Sequence, residues 1–482
     1  MKLLYRPFAL CFALFATTFL ICAMVGHYFF SENVLDWFFC CIISIILSFI
    51  FFKCAQQQLS QPIFKCGILL TTGVLWLLAA VLGALPYCLI LKCSFLTGVF
   101  ESISGLTTTG ASVLQAPESL PHSLLLWRAF SQWLGGLGFI FFFISFLGNS
   151  DTTHKGLLIQ ETTFSDDALV LFNLRKRTFN VLIFYVFSTL VCGFLLRHFG
   201  LSNFDAICHA LSTVSTGGFS THNNGITDFN IYSKIVLMCF MFLGGLNVLF
   251  FIQVFSKRNF NSHYNQEFRT YLIIILTALL AIITQFSFLK QFNAQTLFEA
   301  CFQVISFSTT TGFNANSSTL WPPASITVLL LLSFIGGCSG STAGGLKVFR
   351  ITAIIQIIGS RLEKTFHTSV VRTLKIGRTI WDKDKQIDVL QFFTLTLFII
   401  FTGVLLLQWA MPRLDFSTAL SISVANLSNV GLGAISSPAM HQNVGVIPDA
   451  ALFVMSLLML LGRLELYAIL VLFSKKFWKH FE

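Results

Sequence analysis

Charge is scarce in this chain. Of its 482 residues only 10% are Asp, Glu, Lys or Arg, against about 25% in an average soluble domain. Thirty basic and 20 acidic side chains cannot form a polar shell around 56 phenylalanines and an apolar fraction of 55%. A water-soluble fold is therefore excluded, and a mean hydropathy of +0.80 makes lipid the solvent. A basic stripe is also lacking: the formal charge of +10 comes from residues scattered between apolar runs, which argues against a nucleic-acid partner. None of the 13 cysteines forms a CxxC pair. Most, such as Cys11, Cys22, Cys192, Cys239 and Cys338, sit inside apolar runs as small hydrophobes, and the ten histidines are dispersed. Neither a transition-metal site nor a disulfide framework follows. The spans hold no HExxH, no paired aspartates and no nucleophile with a base, so an intramembrane enzyme is disfavoured.

What is there is a series of long apolar runs, at about 7–30, 34–54, 67–91, 123–148, 179–197, 231–256, 270–289, 325–357, 389–411 and 449–473. A span takes about 20 residues, so the runs predict ten spans. The first is too long for a signal-peptide core of about 7–15 residues. Alternate loops and ends carry 21 Lys and Arg on one side and five on the other, the remaining four (Arg128, Lys347, Arg350, Arg463) lying in or near spans. By the positive-inside rule both termini are cytoplasmic.

Four of the outward loops align on one glycine. They read TTTGAS at 107–112, STGGFS at 215–220, TTTGFN at 309–314 and SNVGLG at 428–433; we call them loops 1 to 4. A hydroxyl stands three residues before each glycine (Thr107, Ser215, Thr309, Ser428), and a small residue twelve before it (Gly98, Ala206, Ala300, Ala419). Each unit reads as outer span, re-entrant half-helix, extended strand, inner span, and two crossings per unit give all four the same orientation. The predicted fold is an all-α polytopic membrane protein: four parallel helix–pore loop–helix repeats around a pseudo-fourfold pore, plus an N-terminal helix pair. The boundaries are 1–62 for the pair, then 63–165, 166–262, 263–380 (with a broken inner helix) and 381–482.

Non-helical backbone at membrane depth is tolerated only when buried in protein or lining a wet cavity. Glycine permits the positive φ that successive inward carbonyls require, and carbonyl rings can replace the hydration shell of a monovalent cation. The four hexapeptides hold no charged side chain, which suits weakly held K⁺ better than a divalent ion. The candidate filter is Thr108, Thr109, Gly110, Ala111; Thr216, Gly217, Gly218, Phe219; Thr310, Thr311, Gly312, Phe313; and Asn429, Val430, Gly431, Leu432. Taken singly, such loops are also plain turns. Glu101, Asp205, Glu299 and Asp415 stand as outer carboxylates that concentrate cations or as solvated and helix-capping groups. His209 reads as a packing histidine.

Two further features lie in the spans. GGCSGSTAGGLK, 336–347, puts five glycines in the third inner span, each costing a helix about 1 kcal/mol relative to Ala. The span is expected to break there, with close helix packing as the alternative. Arg463, in the last inner span, should face water, the pore or carbonyls of the broken segment, or else form an ion pair, because burying it alone costs about 2.5–3.5 kcal/mol.

These features together resemble the Trk, Ktr and HKT superfamily of potassium transporters, most of all the bacterial TrkH/TrkG type. The shared segments are the four loops, WRAFSQWLGGLG at 127–138, GGCSGSTAGGLK and GRLE at 462–465. The resemblance covers nearly the whole chain, and the N-terminal pair is similar to TrkH and unlike the shorter Ktr subunit. It implies potassium uptake in the bacterial cell inner membrane through one pore per subunit. It further implies a homodimer and a cytoplasmic nucleotide-binding, TrkA-like regulatory ring. It also implies an intramembrane gate from Gly336, Gly337, Gly340, Ser341, Gly344, Gly345 and Arg463. In HKT relatives a serine at the first-loop glycine goes with Na⁺ transport; Gly110 favours K⁺. Ala111 and Asn429-Val430 depart from the other loops. No cofactor is implied beyond K⁺ as transported ion; lipid, and no nucleic acid, is the surrounding partner. The alternative is a secondary potassium or sodium carrier coupled to H⁺ or Na⁺, which parallel repeats and an uncharged filter disfavour.

Overall fold

The structure, a computed structural model, describes residues 5–56, 65–114, 116–147, 174–247, 263–315, 321–366, 375–376, 379–380, 383–431 and 447–470. These are helical except for connecting segments and a hairpin of two-residue strands, β1 (Lys375–Ile376) and β2 (Thr379–Ile380), paired antiparallel. Helices α1 (Tyr5–Phe30) and α2 (Leu35–Gln56) pack on each other at the N-terminus. After them a long helix, a short helix and a second helix recur four times. The first set is α3 (Lys65–Leu91), α4 (Phe95–Leu106) and α5 (His122–Leu147). The second is α6 (Leu174–His198), α7 (Asn203–Val214) and α8 (Ile231–Gly245). The third is α9 (His263–Phe288), α10 (Ala294–Ser308) and α11 (Pro323–Ile335), after which the chain leaves the helix and resumes it as α12 (Val348–Phe366). The fourth is α13 (Lys383–Ala410), α14 (Phe416–Leu427) and α15 (Asp449–Arg463), followed by one turn, α16 (Tyr467–Leu470).

Among the described residues six helices are long and apolar enough to cross a membrane: α1, α2, Leu70–Leu91 of α3, Phe179–His198 of α6, Gln266–Phe288 of α9, and α13. Their outer faces expose large apolar side chains, among them Phe187, Phe194, Leu280, Phe398 and Trp409. The polar Ser104, Thr107, Thr216 and Thr310 are buried inside. This inverts the soluble pattern, because lipid solvates the outside and protein must satisfy the polar groups.

Each short helix starts on a capping side chain that accepts the backbone N–H three residues on. These are Ser94 from Thr97 (3.2 Å), Ser202 from Asp205 (3.0 Å), Asn293 from Thr296 (2.7 Å) and Asp415 from Thr418 (3.1 Å). The cap closes an otherwise orphaned N–H, so each helix has a defined start. The expected small residues do pack tightly: Gly98, Ala206, Ala300 and Ala419 are all buried.

The apolar core is cyclic. The cluster around Phe15, Phe19, Trp37 and Trp127 takes in Cys208 and Leu211 of α7. That of α6 and α8 takes in Phe302 of α10 and Phe313. That of α9 and α11 takes in Ala425 of α14 and Val430. That of α13 and α15 takes in Phe100 and Ile103 of α4. Each short helix is thus packed in its own set and in the one before it, and the fourth set reaches back to the first.

Candidate functional site

The four short helices end in one hydrogen-bond pattern. Thr107, Ser215, Thr309 and Ser428 donate their N–H to the carbonyl four residues back (2.8, 3.4, 3.0 and 2.8 Å). Thr109, Gly217, Thr311 and Val430 donate to Ser104, Ser212, Ser306 and Ala425 (2.9, 2.8, 2.9 and 2.9 Å). Between them Thr108, Thr216, Thr310 and Asn429 all take positive φ, 54 to 56°, where non-glycine residues are uncommon and β-branched ones are outliers. The central glycines follow at φ +77, +80, +79 and +81°. The chain thus alternates handedness residue by residue, and only the second of the two positions is a glycine.

Each of these glycines lies against the backbone of the next loop, in order. A Cβ on Gly110 would lie 2.2 Å from the carbonyl oxygen of Gly217; on Gly218, 1.9 Å from that of Thr311; on Gly312, 1.9 Å from that of Val430; on Gly431, 2.5 Å from that of Thr109. Loop 1 meets loop 2, loop 2 meets loop 3, loop 3 meets loop 4, and loop 4 meets loop 1. Any side chain at these positions collides with the backbone of the neighbouring loop. The structure therefore brings together every candidate filter residue except Leu432, which lies outside the described residues.

Hydroxyls and amides brace the ring. Thr107 and Thr109 pair at 2.7 Å, and Thr309 and Thr311 at 2.8 Å. In loop 4, where Asn429 stands at the position of those loops' middle threonine, its Nδ2 donates to Thr109 Oγ1 (2.9 Å) and to the Met459 carbonyl (3.0 Å).

Glu101 is not an outer carboxylate. It is fully buried, accepts from Ser112 Oγ (2.9 Å) and Val113 N–H (2.7 Å), and lies 3.8 Å from the guanidinium of Arg128, itself buried. His209 of α7 and Gln303 of α10 hold the same position in the second and third sets, nine residues before the glycine. His209 Nε2 is 3.1 Å from Ser220 Oγ with Nδ1 on the Asp205 carbonyl, and Gln303 Nε2 donates to Asn314 Oδ1 (2.5 Å). His209 is thus the satisfied packing histidine the sequence indicates. The register was hidden because Glu101 groups by charge with Asp205 and Asp415, which belong to helix starts. Asp415 does cap: the Ser417 hydroxyl, then that of Thr418, hold its carboxyl below the usual range, at about 2.

The segment 336–347 is non-helical and sits against loops 2 and 3. Gly344 N–H donates to Thr310 Oγ1 (2.7 Å); Thr216 Oγ1 donates to Thr342 Oγ1 (3.2 Å), which donates to the Gly244 carbonyl (3.2 Å). Glu267 of α9 accepts from Ser339 N–H (2.7 Å) and Oγ (2.8 Å). Gly336, Gly340 and Gly345 have positive φ. Arg463 donates to the Thr342 carbonyl (3.0 Å) and the Gly135 carbonyl (2.8 Å), joining this segment to α5. Glu465 turns away to pair with Arg350 at 2.7 Å.

A second internal register escapes an inspection of the loops alone. The inner helices share Leu134-Gly135-Gly136, Leu243-Gly244-Gly245, Ile335-Gly336-Gly337 and Leu461-Gly462-Arg463. A Cβ on Gly135 or Gly462 would lie 1.8 or 1.9 Å from the last carbonyl of its own short helix, at Leu106 or Leu427. On Gly136 or Gly245 it would press Ser215 or Thr309 of the next loop. Arg463 occupies the second glycine's place in the fourth set. The signal is an aliphatic residue followed by glycine, read as LGG, LGG, IGG and LGR, recurring some two dozen or more residues after each loop's central glycine.

Comparison with known proteins gives a consistent result. A family model described as "TrkH: Cation transport protein" matches residues 52–480. The chain is 32% identical to the Trk system potassium uptake protein TrkH of Salmonella typhimurium over 414 residues, 84% of each chain. It is 31% identical to the Trk system potassium uptake protein TrkG of Escherichia coli over 470 residues, 95% of this chain and 94% of that one. Its fold matches the crystal structure of the potassium transporter TrkH from Vibrio parahaemolyticus with a TM-score of 0.84 and 27% identity, covering 98% and 99% of the two chains.

Proposed function

From the premise that this chain belongs to the TrkH family of cation transport proteins, membrane transporters and not enzymes, we propose that it takes up K⁺ through a pore whose filter is the ring of loops 1 to 4. The observation that carries the reading is the cyclic contact of Gly110, Gly218, Gly312 and Gly431, each against the carbonyl of the next loop. Four strands in mutual contact, with backbone conformations that repeat, supply a ring of dipoles of fourfold pattern. A dipole ring without a charged side chain holds a monovalent cation loosely enough to release it. Glu101, the carboxylate on the short helix that leads into loop 1, is buried beside Arg128, which offsets its charge there.

The gate in this reading is the segment Gly336 to Gly345 with Arg463. The segment contacts Thr216 and Thr310 directly, and a guanidinium held at membrane depth repels cations far more than it would in water. The ten spans, cytoplasmic termini, inner-membrane location, homodimer and TrkA-like ring belong to the same proposal. The 21-to-five asymmetry of Lys and Arg supports the orientation; the names of the relatives as Trk system proteins support a regulatory partner.

The test is rubidium tracer uptake into proteoliposomes, with K⁺, Na⁺ and Li⁺ as competitors. Wild type and Arg463→Ala are both assayed, so that a closed gate is not mistaken for the absence of a pore. Competition by K⁺ well above that by Na⁺ or Li⁺ is the expected result. No uptake above protein-free vesicles by either protein overturns transport, and equal competition by Na⁺ overturns the selectivity.

A further inference from the structure

Loop 2 differs from the others at the residue before its central glycine. Thr109, Thr311 and Val430 stand there in loops 1, 3 and 4, and Gly217 in loop 2. Backbone conformation does not demand this glycine: Gly217 is not among the positive-φ residues, and threonine occupies the same place twice. Space does. A Cβ on Gly217 would lie 2.4 Å from Cδ, 2.5 Å from Oε1 and 2.8 Å from Nε2 of Gln132. The amide of Gln132 fills the volume that a side chain at 217 would take.

Gln132 comes from α5, 85 residues away in the chain, and is fully buried. Its Nε2 donates to the Gly217 carbonyl (2.6 Å) and its Oε1 accepts from Phe219 N–H (3.1 Å), so one amide spans both sides of Gly218. One turn earlier, the Arg128 guanidinium lies over the Phe219 ring at 4.3 Å. The residues in register on the other inner helices, three before the first glycine of each triplet, are Met241, Ser333 and Met459. None carries an amide. The one inner helix with a glutamine there is the one that meets the one loop lacking a side chain.

We infer that Gln132 is a positioning residue for ion selectivity, acting as the missing side chain of loop 2. This rests on the filter reading above. The physical reason is that a bare glycine leaves its strand free to rotate, whereas an amide with donor and acceptor both engaged in a buried site fixes it. A filter discriminates between K⁺ and Na⁺ through the placement or field of its carbonyls, and a slack second strand forfeits that discrimination.

The experiment compares competition by K⁺ and Na⁺ in tracer uptake for wild type, Gln132→Ala, Gly217→Thr, the double variant and Gly110→Ser. Gln132→Ala removes the partners of the Gly217 carbonyl and the Phe219 N–H, and a buried backbone group that loses its partner costs free energy, so K⁺ over Na⁺ preference should fall about tenfold or more. Gly217→Thr alone should fall similarly, because its side chain meets the Gln132 amide. In the double variant the threonine enters the vacated space as in loops 1 and 3, and preference should return to within about threefold of wild type. Gln132→Met keeps the volume and removes the amide; it should lose preference too, and serves if the truncation prevents folding. The inference is overturned if Gln132→Ala and Gln132→Met discriminate as wild type does while Gly110→Ser does not, or if the double variant is no better than either single. If Gly110→Ser also discriminates as wild type does, the filter reading falls with it.

Discussion

Thr108, Thr216, Thr310 and Asn429 hold a conformation that costs about 1–3 kcal/mol per residue and persists only where the surroundings over-determine it. Here the surroundings are the preceding helix end and the next loop. The glycine two residues on is required twice over, by φ and by contact. Gly110→Ser places a Cβ 2.2 Å from the Gly217 carbonyl oxygen at φ +77°, so loops 1 and 2 must separate. We expect the variant to insert and conduct with a K⁺ to Na⁺ preference reduced about tenfold or more, an energy of about 1.4 kcal/mol in the filter; uptake competition or reversal potentials measure it. An unchanged ratio in a well-folded variant would remove Gly110 from the filter.

At the scale of the element, the inner helices decide how the four loops are carried. Lipid offers no hydrophobic drive between helices, so close approach through small residues holds them together. Gly135 and Gly462 admit the carbonyl ends of α4 and α14 where a larger residue would not fit. The third inner helix is interrupted, and its free backbone groups find Thr310, Glu267 and Arg463 as partners. Arg463 has five donors in a rigid fork, which lets it hold one carbonyl of the broken segment and one of α5 at once. Arg463→Ala, or deletion of about five residues within Gly336 to Gly345, should raise partner-free tracer uptake several-fold, and with Arg463→Ala the K⁺ preference should stay as in wild type, since among the described residues Arg463 bonds only the Thr342 and Gly135 carbonyls. Partner-free uptake equal to wild type from both correctly inserted variants would make these residues structural.

The whole molecule is a closed cycle of four sets, each short helix buried in its own cluster and its predecessor's. A cycle has no free end, so a displacement in one inner helix is felt by two loops. The basic residues Arg175, Lys176, Arg177, Lys375, Arg378 and Lys383 lie on the side read as cytoplasmic, where a soluble ring would dock. Neutralising all six should reduce copurification of that ring at least about tenfold at low salt, because surface attraction is summed over many charges and screened beyond about 10 Å at 0.1 M. Equal recovery with wild type and the sixfold variant would place docking elsewhere.

Much of this was written locally. The repeated Gly with a hydroxyl three residues before it, the caps Ser94, Ser202 and Asn293, and the glycines of 336–347 specify backbone conformation through residues within a few positions of each other, and local sterics act in any context. The lipid environment followed from the lack of charge alone. Which groups meet across the chain was not written there. Glu101 looks like an outer carboxylate until α5 brings Arg128 to it; the four loops are four turns until each glycine is seen against the next carbonyl; and Gly217 looks like a mere gap in a threonine pattern until Gln132 fills it from 85 residues away. The reason is that such complementarity is a property of two surfaces in contact. The chain carries each half at a different place, and only the tertiary structure brings the halves within the 3 Å over which a hydrogen bond or a steric clash acts.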